Sequence, residues 1–337
     1  MMQLNELWFV LVCVLFVGFV FLEGFDFGVG MSTKFLAKNE TEKRVLINTI
    51  GPFWDANEVW LLTAGGAMFA AFPNWYATLF SGYYLAFVVL LLALIARGVA
   101  FEFRGKLQAS KWKGIWDWAI LLGSLLPPFL LGALFSGMVK GLPIDRSMTM
   151  HAGFFDIVNL YTIVGGLAFV ALVYLHGLMF IRLKTDGEIR ERAGKAAMKM
   201  YMAAGAVVVL FAILTAVFTD AFVKRGAILI PVYAVAIVLY LGLYPLLRNK
   251  KEGLSFAVTG LILILVTVSF FVALFPNVLI SSMGAANNLT LYKASSSPYS
   301  LKVMTIVACT MVPVVLAYTI WSYYVFRKRV TPHELHY

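Results

Sequence analysis

Gly51-Pro52-Phe53-Trp54-Asp55-Ala56-Asn57-Glu58-Val59-Trp60-Leu61 sets two carboxylates and an amide inside a segment otherwise built to sit in lipid. Ionisable residues within a bilayer are costly, so they face a bundle interior, a partner charge or a water-filled path. On either side of this stretch, apolar runs near bilayer length recur along the whole chain. Apolar residues make up 61% of the sequence and charged ones only 13%, which excludes a soluble globular domain. The chain reads as an all-α, polytopic membrane protein, a single integral membrane domain over 1–337. Its net charge of +10 would suggest nucleic acid in a soluble protein. In a membrane protein, basic cytoplasmic loops account for it, and no nucleic-acid partner is expected.

Nine transmembrane helices are expected, at about 7–31, 48–72, 76–101, 115–136, 155–181, 199–219, 227–247, 255–276 and 301–326, each near the ~20 residues a span requires. Pro52 suits the first turn of the second span, and Pro73-Asn74-Trp75 reads as a tight link to the third. The N-terminus lacks a basic region and a convincing cleavage site, so the first span reads as retained. Lys34, Lys38, Lys43, Arg44, Arg104, Lys106, Lys111, Lys113, Arg182, Lys184, Arg190, Arg192, Arg248, Lys250 and Lys251 all fall in the connections after odd-numbered spans. The opposite side carries only Lys140, Arg146, Lys224, Arg225, Lys293 and Lys302. The positive-inside rule then puts the N-terminus outside and the C-terminus in the cytoplasm.

Orientation fixes depth. Glu23 lies roughly 24 Å along the first span, at ~1.5 Å per residue, and Asp26 one turn further in. Asp55 and Glu58 occupy the start of the outward-running second span, where the helix dipole favours carboxylates. Arg97 ends the third span, about 31 Å from Tyr76 by the same rise. Glu23, Asp26, Asp55, Glu58 and Arg97 are therefore expected in one layer near the inner boundary of the bilayer. Each acid pair is spaced i, i+3 and shares a helix face. Four acids beside one or two cations cannot all stay ionised at low dielectric, so at least one holds or relays a proton. The plainer alternative is a set of interfacial charges or a static ion pair. Arg97 has a choice of neutralising Asp55 or Glu58, or of binding an acidic lipid. Asn57 and Trp60 are candidates to line the path, whereas Glu102 and Arg104 read as headgroup-level, positional charges. Gly65 and Gly66 would permit close helix approach.

The four histidines are informative by position. His333 and His336 lie in the tail, His151 in an outer loop, and only His176 in a span. A bis-histidine haem needs two ligands at matching depth on facing helices, which these spans do not supply. His176 reads as an interior histidine, with a proton-relay role as the alternative. No metal site is expected, and Cys13 and Cys309 read as structural.

The sequence resembles subunit II of the cytochrome bd-type quinol oxidase family. The resemblance is carried by Leu22-Glu23-Gly24-Phe25-Asp26-Phe27-Gly28-Val29-Gly30, the stretch from Gly51 to Leu61, Thr63-Ala64-Gly65-Gly66-Ala67 and the run from Ala96 to Arg104. Thr185-Asp186-Gly187, Phe275-Pro276-Asn277 and Ser297-Pro298-Tyr299-Ser300-Leu301 extend it, in order, over nearly the whole length. One position departs from the pattern: Ala56 stands where many members have glycine. The resemblance implies two four-helix bundles, over 1–136 and 155–276, with a ninth, peripheral helix over 301–326. It implies a heterodimer in the bacterial cytoplasmic membrane with a haem-bearing subunit I that carries two haem b and one haem d. Quinol would be oxidised and O2 reduced to water on that partner, with no cofactor on this chain alone. A small single-helix subunit and a structural quinone or lipid are compatible with it. Subunit II would support assembly and supply cytoplasmic protons. By the Trp-Asp motif, Asp55 is the leading proton-path residue, followed by Glu58, Asp26 and Glu23. Two other readings compete: a stand-alone proton- or sodium-coupled transporter, in which such acids also occur, and a purely structural subunit.

Overall fold

A computed structural model of the chain describes residues 3–331. The long apolar first run contains no proline, and Gln3 and Glu6 close its N-terminus as a capping box, so it forms one helix, α1 (Leu4–Phe35). After a short link, Asn39 caps α2 (Glu40–Ile50) by accepting a hydrogen bond from the Glu42 amide at 2.9 Å. Gly51 and Pro52 then interrupt the chain, because the proline nitrogen has no hydrogen with which to continue the helical ladder. The next helix, α3 (Trp54–Ala71), starts only beyond that turn. Pro73 occupies the first turn of α4 (Pro73–Gly82), and a break at Tyr83 separates it from α5 (Tyr84–Phe103).

These boundaries correct two expectations. The segment 48–72 is not continuous, and Pro52 lies in the turn before α3 rather than inside its first turn. The expected link at 73–75 is itself helical, since proline at a first helical position pre-sets the backbone and loses no needed bond. The expected third span is consequently two helices meeting at Tyr83.

The remainder runs as α6 (Ser110–Lys140), α7 (Phe154–Ile157), α8 (Leu160–Lys184), α9 (Gly187–Phe218), α10 (Ala221–Arg248), α11 (Glu252–Leu274), α12 (Leu291–Ala294) and α13 (Pro298–Val325). One small antiparallel pair, β1 (Asn277–Leu279) and β2 (Leu289–Thr290), orders the connection between α11 and α12. It joins the connection after α6, where the Leu142 amide donates to the Ile280 carbonyl at 2.9 Å. Among the described residues, eight helices are long and apolar enough to cross a membrane: α1, α5 with its short extension to Lys106, α6, α8, α9, α10, α11 and α13. The molecule is thus an all-α polytopic membrane protein. The helix α3, in the segment expected as the second of nine spans, carries Asp55 and Glu58 in its 18 residues and is not among the eight.

At the centre, α1 and α8 cross and pack against each other, with α3, α6 and α11 around α1 and with α6, α9 and α11 around α8. The crossing depends on two glycines. A Cβ on Gly28 would sit 2.6 Å from Gly177 Cα, inside any real contact distance, so the two backbones touch. Gly65 and Gly66, by contrast, face open space and play no such part within this chain. The last helix, α13, is exposed along most of its length. At its start the Trp8 indole donates to the Leu301 carbonyl at 3.1 Å and to Thr305 Oγ1 at 3.0 Å.

A bulky side chain at the crossing has no room to relax. Gly28→Leu should destabilise the fold by at least the ~1–3 kcal/mol typical of core overpacking. Gly253→Ala, at a position with open space around it, should be neutral. Yield and melting temperature of the purified protein check both.

Candidate functional site

Glu23 and Asp26 lie one turn apart on α1, and both are completely buried. Opposite them α3 supplies Asn57 and Glu58, and α5 supplies Arg97, also completely buried. The guanidinium is the hub. Arg97 Nη1 pairs with Glu23 Oε1 and lies 3.5 Å from Glu58 Oε2. Its central carbon Cζ lies 4.9 Å from the Phe27 ring centre and 5.2 Å from that of Phe101, which suits a delocalised cation in an apolar setting. Nε and Nη2 of Arg97 have no hydrogen-bond partner among the described residues. The guanidinium therefore retains donors that can follow a shift of negative charge. On the far side of the cluster, Asn57 Nδ2 donates to Asp26 Oδ2 at 2.7 Å.

Three carboxyl groups converge on one cation here, two of them out of reach of water. Their charges cannot all be sustained at low dielectric, so the assembly is suited to hold a proton and to pass it on. The expected layer of Glu23, Asp26, Glu58 and Arg97 is brought together. Asp55 is not part of it. Its side chain is on the exposed face of α3, and among the described residues no hydrogen bond or ion pair reaches its carboxylate. Arg97 accordingly neutralises Glu23 and Glu58 rather than Asp55. Glu58 connects the two regions: its side chain is 22% exposed, while its buried Oε2 faces Arg97. Trp60 is half-buried one turn further along, and its ring occupies the space that a side chain on Gly18 would fill.

Sequence reasoning missed two features. One is Tyr323 of α13, whose hydroxyl donates to Asn57 Oδ1 at 2.8 Å. Nothing in its own neighbourhood marked it, because its partner is 266 positions away. The other is a charge network at the same end of the molecule. Arg104 is buried rather than a headgroup-level charge. It donates twice to Glu40 at 2.8 Å and once to Asp117 at 2.6 Å, while Lys43 reaches the other Asp117 oxygen at 2.5 Å. The Arg104 hydrogen bonds hold the Glu40 carboxyl down at about 2. Nearby, Glu252 accepts from Arg190 at 2.7 and 3.0 Å and from Arg329 at 3.2 Å.

Both described histidines are engaged by other groups of this chain. His176 is buried with both ring nitrogens engaged, Nδ1 with Thr259 Oγ1 at 2.8 Å and Nε2 with the Phe21 carbonyl at 3.2 Å. Its ring stacks on Phe256 at 4.5 Å. His151 Nε2 meets Asp145 at 2.8 Å in an exposed loop, where that contact and bonds from Ser147 and Thr149 hold the Asp145 carboxyl below its usual range. His333 and His336 lie outside the described residues. No group of three or more His, Cys, Asp and Glu among the described residues is arranged to hold a metal ion.

Fold and site together define a helical membrane protein with a buried acid–guanidinium cluster and charge-locked loops at one end. Residues 4–326 match the family described as cytochrome bd terminal oxidase subunit II. A relative from Bacillus subtilis (strain 168), cytochrome bd ubiquinol oxidase subunit 2, is 55% identical over 334 residues, covering 99% of each chain. Cytochrome bd-I ubiquinol oxidase subunit 2 of Escherichia coli (strain K12) is 34% identical, covering 98% of this chain and 96% of the relative. A chain from the structure of bd oxidase from Geobacillus thermodenitrificans superposes with a TM-score of 0.78 over 96% of this chain and 97% of its own, at 15% identity, which speaks to the fold. This chain belongs to the cytochrome bd terminal oxidase subunit II family. It is a subunit of an oxidoreductase rather than a free-standing transporter.

The Glu40 carboxyl is held from 4.5 down to about 2 in the folded protein. Its contribution to stability is therefore fully present above about pH 4.5 and is lost as pH falls towards 2. Because the side chain is 42% exposed, water and salt screen the effect to below about 1 kcal/mol. Melting temperature against pH should fall in that window, and Glu40→Gln should flatten part of the slope.

Proposed function

We propose that this chain is the haem-free subunit II of a heterodimeric quinol oxidase in the bacterial cytoplasmic membrane. In this reading a subunit I carries two haem b and one haem d, and there quinol is oxidised and O2 is reduced to water. Family membership and the ubiquinol oxidase names of the relatives support the reaction. The engagement of both His176 nitrogens supports placing the haems on the partner. Haem supplies the electron transfer and oxygen chemistry; this chain's residues handle protons and hold the assembly together.

The topology follows the charge distribution. The N-terminus lies outside, the C-terminus lies in the cytoplasm, and α3 serves as the ninth crossing, its 18 residues giving ~27 Å of rise. Residues 1–136 and 155–276 form the two four-helix bundles, with the helix at 301–326 peripheral to both. The cluster then sits near the cytoplasmic boundary, where protons enter.

The observation that carries the proton reading is the position of Glu58. It shares the buried Arg97 with Glu23, yet it is partly exposed on the helix whose outer face bears Asp55. Glu23 and Asp26 act as a buried proton store, Arg97 stabilises whichever carboxyl is ionised, and Glu58 links the store to Asp55. Subunit I covers the exposed face of α3, so that Asp55 exchanges protons at the junction of the two chains. Asn57 and Trp60 wall this route.

Asp55→Asn keeps the shape of the side chain and removes its titration. With quinol as donor, the variant complex should take up oxygen at least tenfold more slowly, within the range of proton-transfer defects, while retaining its haem spectra. Intact haems with unchanged turnover would remove Asp55 from the route. Loss of assembly would favour a purely structural role.

A further inference from the structure

A primary amide has two unlike ends, so a buried asparagine orients its neighbours only if something fixes which end points where. Asn57 is 1% exposed and stands between two groups. Its Nδ2 faces Asp26 Oδ2 at 2.7 Å and its Oδ1 accepts from the Tyr323 hydroxyl at 2.8 Å. The hydroxyl is held in place by contacts outside the acid cluster. The Tyr323 ring lies flat on Phe53, with centres 4.3 Å apart and planes 1° off parallel, and edge-on to Phe25 at 6.3 Å. Just beyond, Lys184 caps α13 by donating to the Phe326 and Lys328 carbonyls, and the Val330 amide returns a bond to the Lys184 carbonyl at 2.9 Å. Arg329 adds its bond to Glu252. Although exposed for most of its length, α13 is clamped at the one place where it meets the cluster.

We propose that Tyr323 is a positioning residue which acts through Asn57 on the Asp26 carboxyl, so that the last helix takes part in proton handling without contributing an acid. This deepens the proton-store reading and rests on it. A phenol both donates and accepts. With Asp26 ionised, the amide presents N–H to it and Tyr323 donates to Oδ1. With Asp26 protonated, the amide reverses, accepts the Asp26 O–H and donates Nδ2–H to the phenol oxygen. Each end of the Asn57 amide keeps a partner in both states, at the cost in the reversed state of the longer Nδ2 contact to the Leu22 carbonyl at 3.4 Å. The charged and titratable groups around Asp26 are Glu23 on its own helix, Glu58 on α3, Arg97 on α5 and Tyr323 on α13. Among these, Tyr323 alone comes from outside the α1, α3 and α5 set.

Tyr323→Phe keeps the stack on Phe53 and deletes the hydroxyl. In the purified two-subunit complex, haem content and KM for quinol should match the parent. The kcat should fall about fivefold, a typical size for coupled groups in contact, and the pH profile of turnover should be displaced. Infrared difference spectra should show a carboxyl band moved in Tyr323→Phe and missing in Asp26→Asn. Added to Asp26→Asn, Tyr323→Phe should slow turnover no further. An unchanged kcat, pH profile and carboxyl band in Tyr323→Phe would overturn the proposal even if Asp26→Asn is slow. So would a Tyr323→Phe defect that persists undiminished in the Asp26→Asn background. Full-speed turnover in Asp26→Asn would instead overturn the proton-store reading itself.

Discussion

A guanidinium fully removed from water has to be matched by negative charge, and the placement of Arg97 imposes that requirement on three helices at once. Glu23 on α1 and Glu58 on α3 are both drawn to its Nη1. Breaking a buried pair by removing one partner leaves an uncompensated charge and typically costs about 3–5 kcal/mol, so α1, α3 and α5 are tied in register near this point. One cation is not enough for all the acids it gathers. The same shortage that ties the helices together makes the site able to keep a proton, and structural and functional roles converge on one residue.

Around this cluster the fold is locked by ion pairs at one end and packed by shape further in. Arg104, Glu40, Asp117 and Lys43 join α2, the end of α5 and the start of α6. Arg190, Arg329 and Glu252 join the start of α9, the segment after α13 and the start of α11. Further in, α1 and α8 touch through Gly28 and Gly177, which leaves the backbones of the two helices in direct contact. Helix α13 then lies over this framework, fastened through Trp8 near one end and through Tyr323 and Lys184 at the other.

How much of this could be read from sequence depends on distance along the chain. Helix content followed from apolar run length, and the shared depth of Glu23, Asp26, Glu58 and Arg97 followed from counting residues along adjacent runs. What counting cannot supply is rotation about each helix axis. Asp55 and Glu58 are only three positions apart, yet one lies outward and the other turns to Arg97, because the handedness of packing against α1 decides the face. The break before α3 is not legible in the sequence, because Pro52 equally suits the first turn of a continuous span. Tyr323 was invisible for a different reason: its partner Asn57 is 266 positions away, and no local pattern marks it.

The central claim is that the cluster around Arg97 stores protons for oxygen reduction carried out by another chain. It is tested most directly by reconstituting the purified complex in vesicles with Glu23→Gln and measuring proton uptake from the cytoplasmic face alongside oxygen consumption. The amide can still accept from Arg97 but cannot titrate. Proton uptake and oxygen consumption should slow together while the haem spectra stay intact. Full-speed uptake and turnover in that variant would reduce the cluster to an ionic clamp and contradict the account.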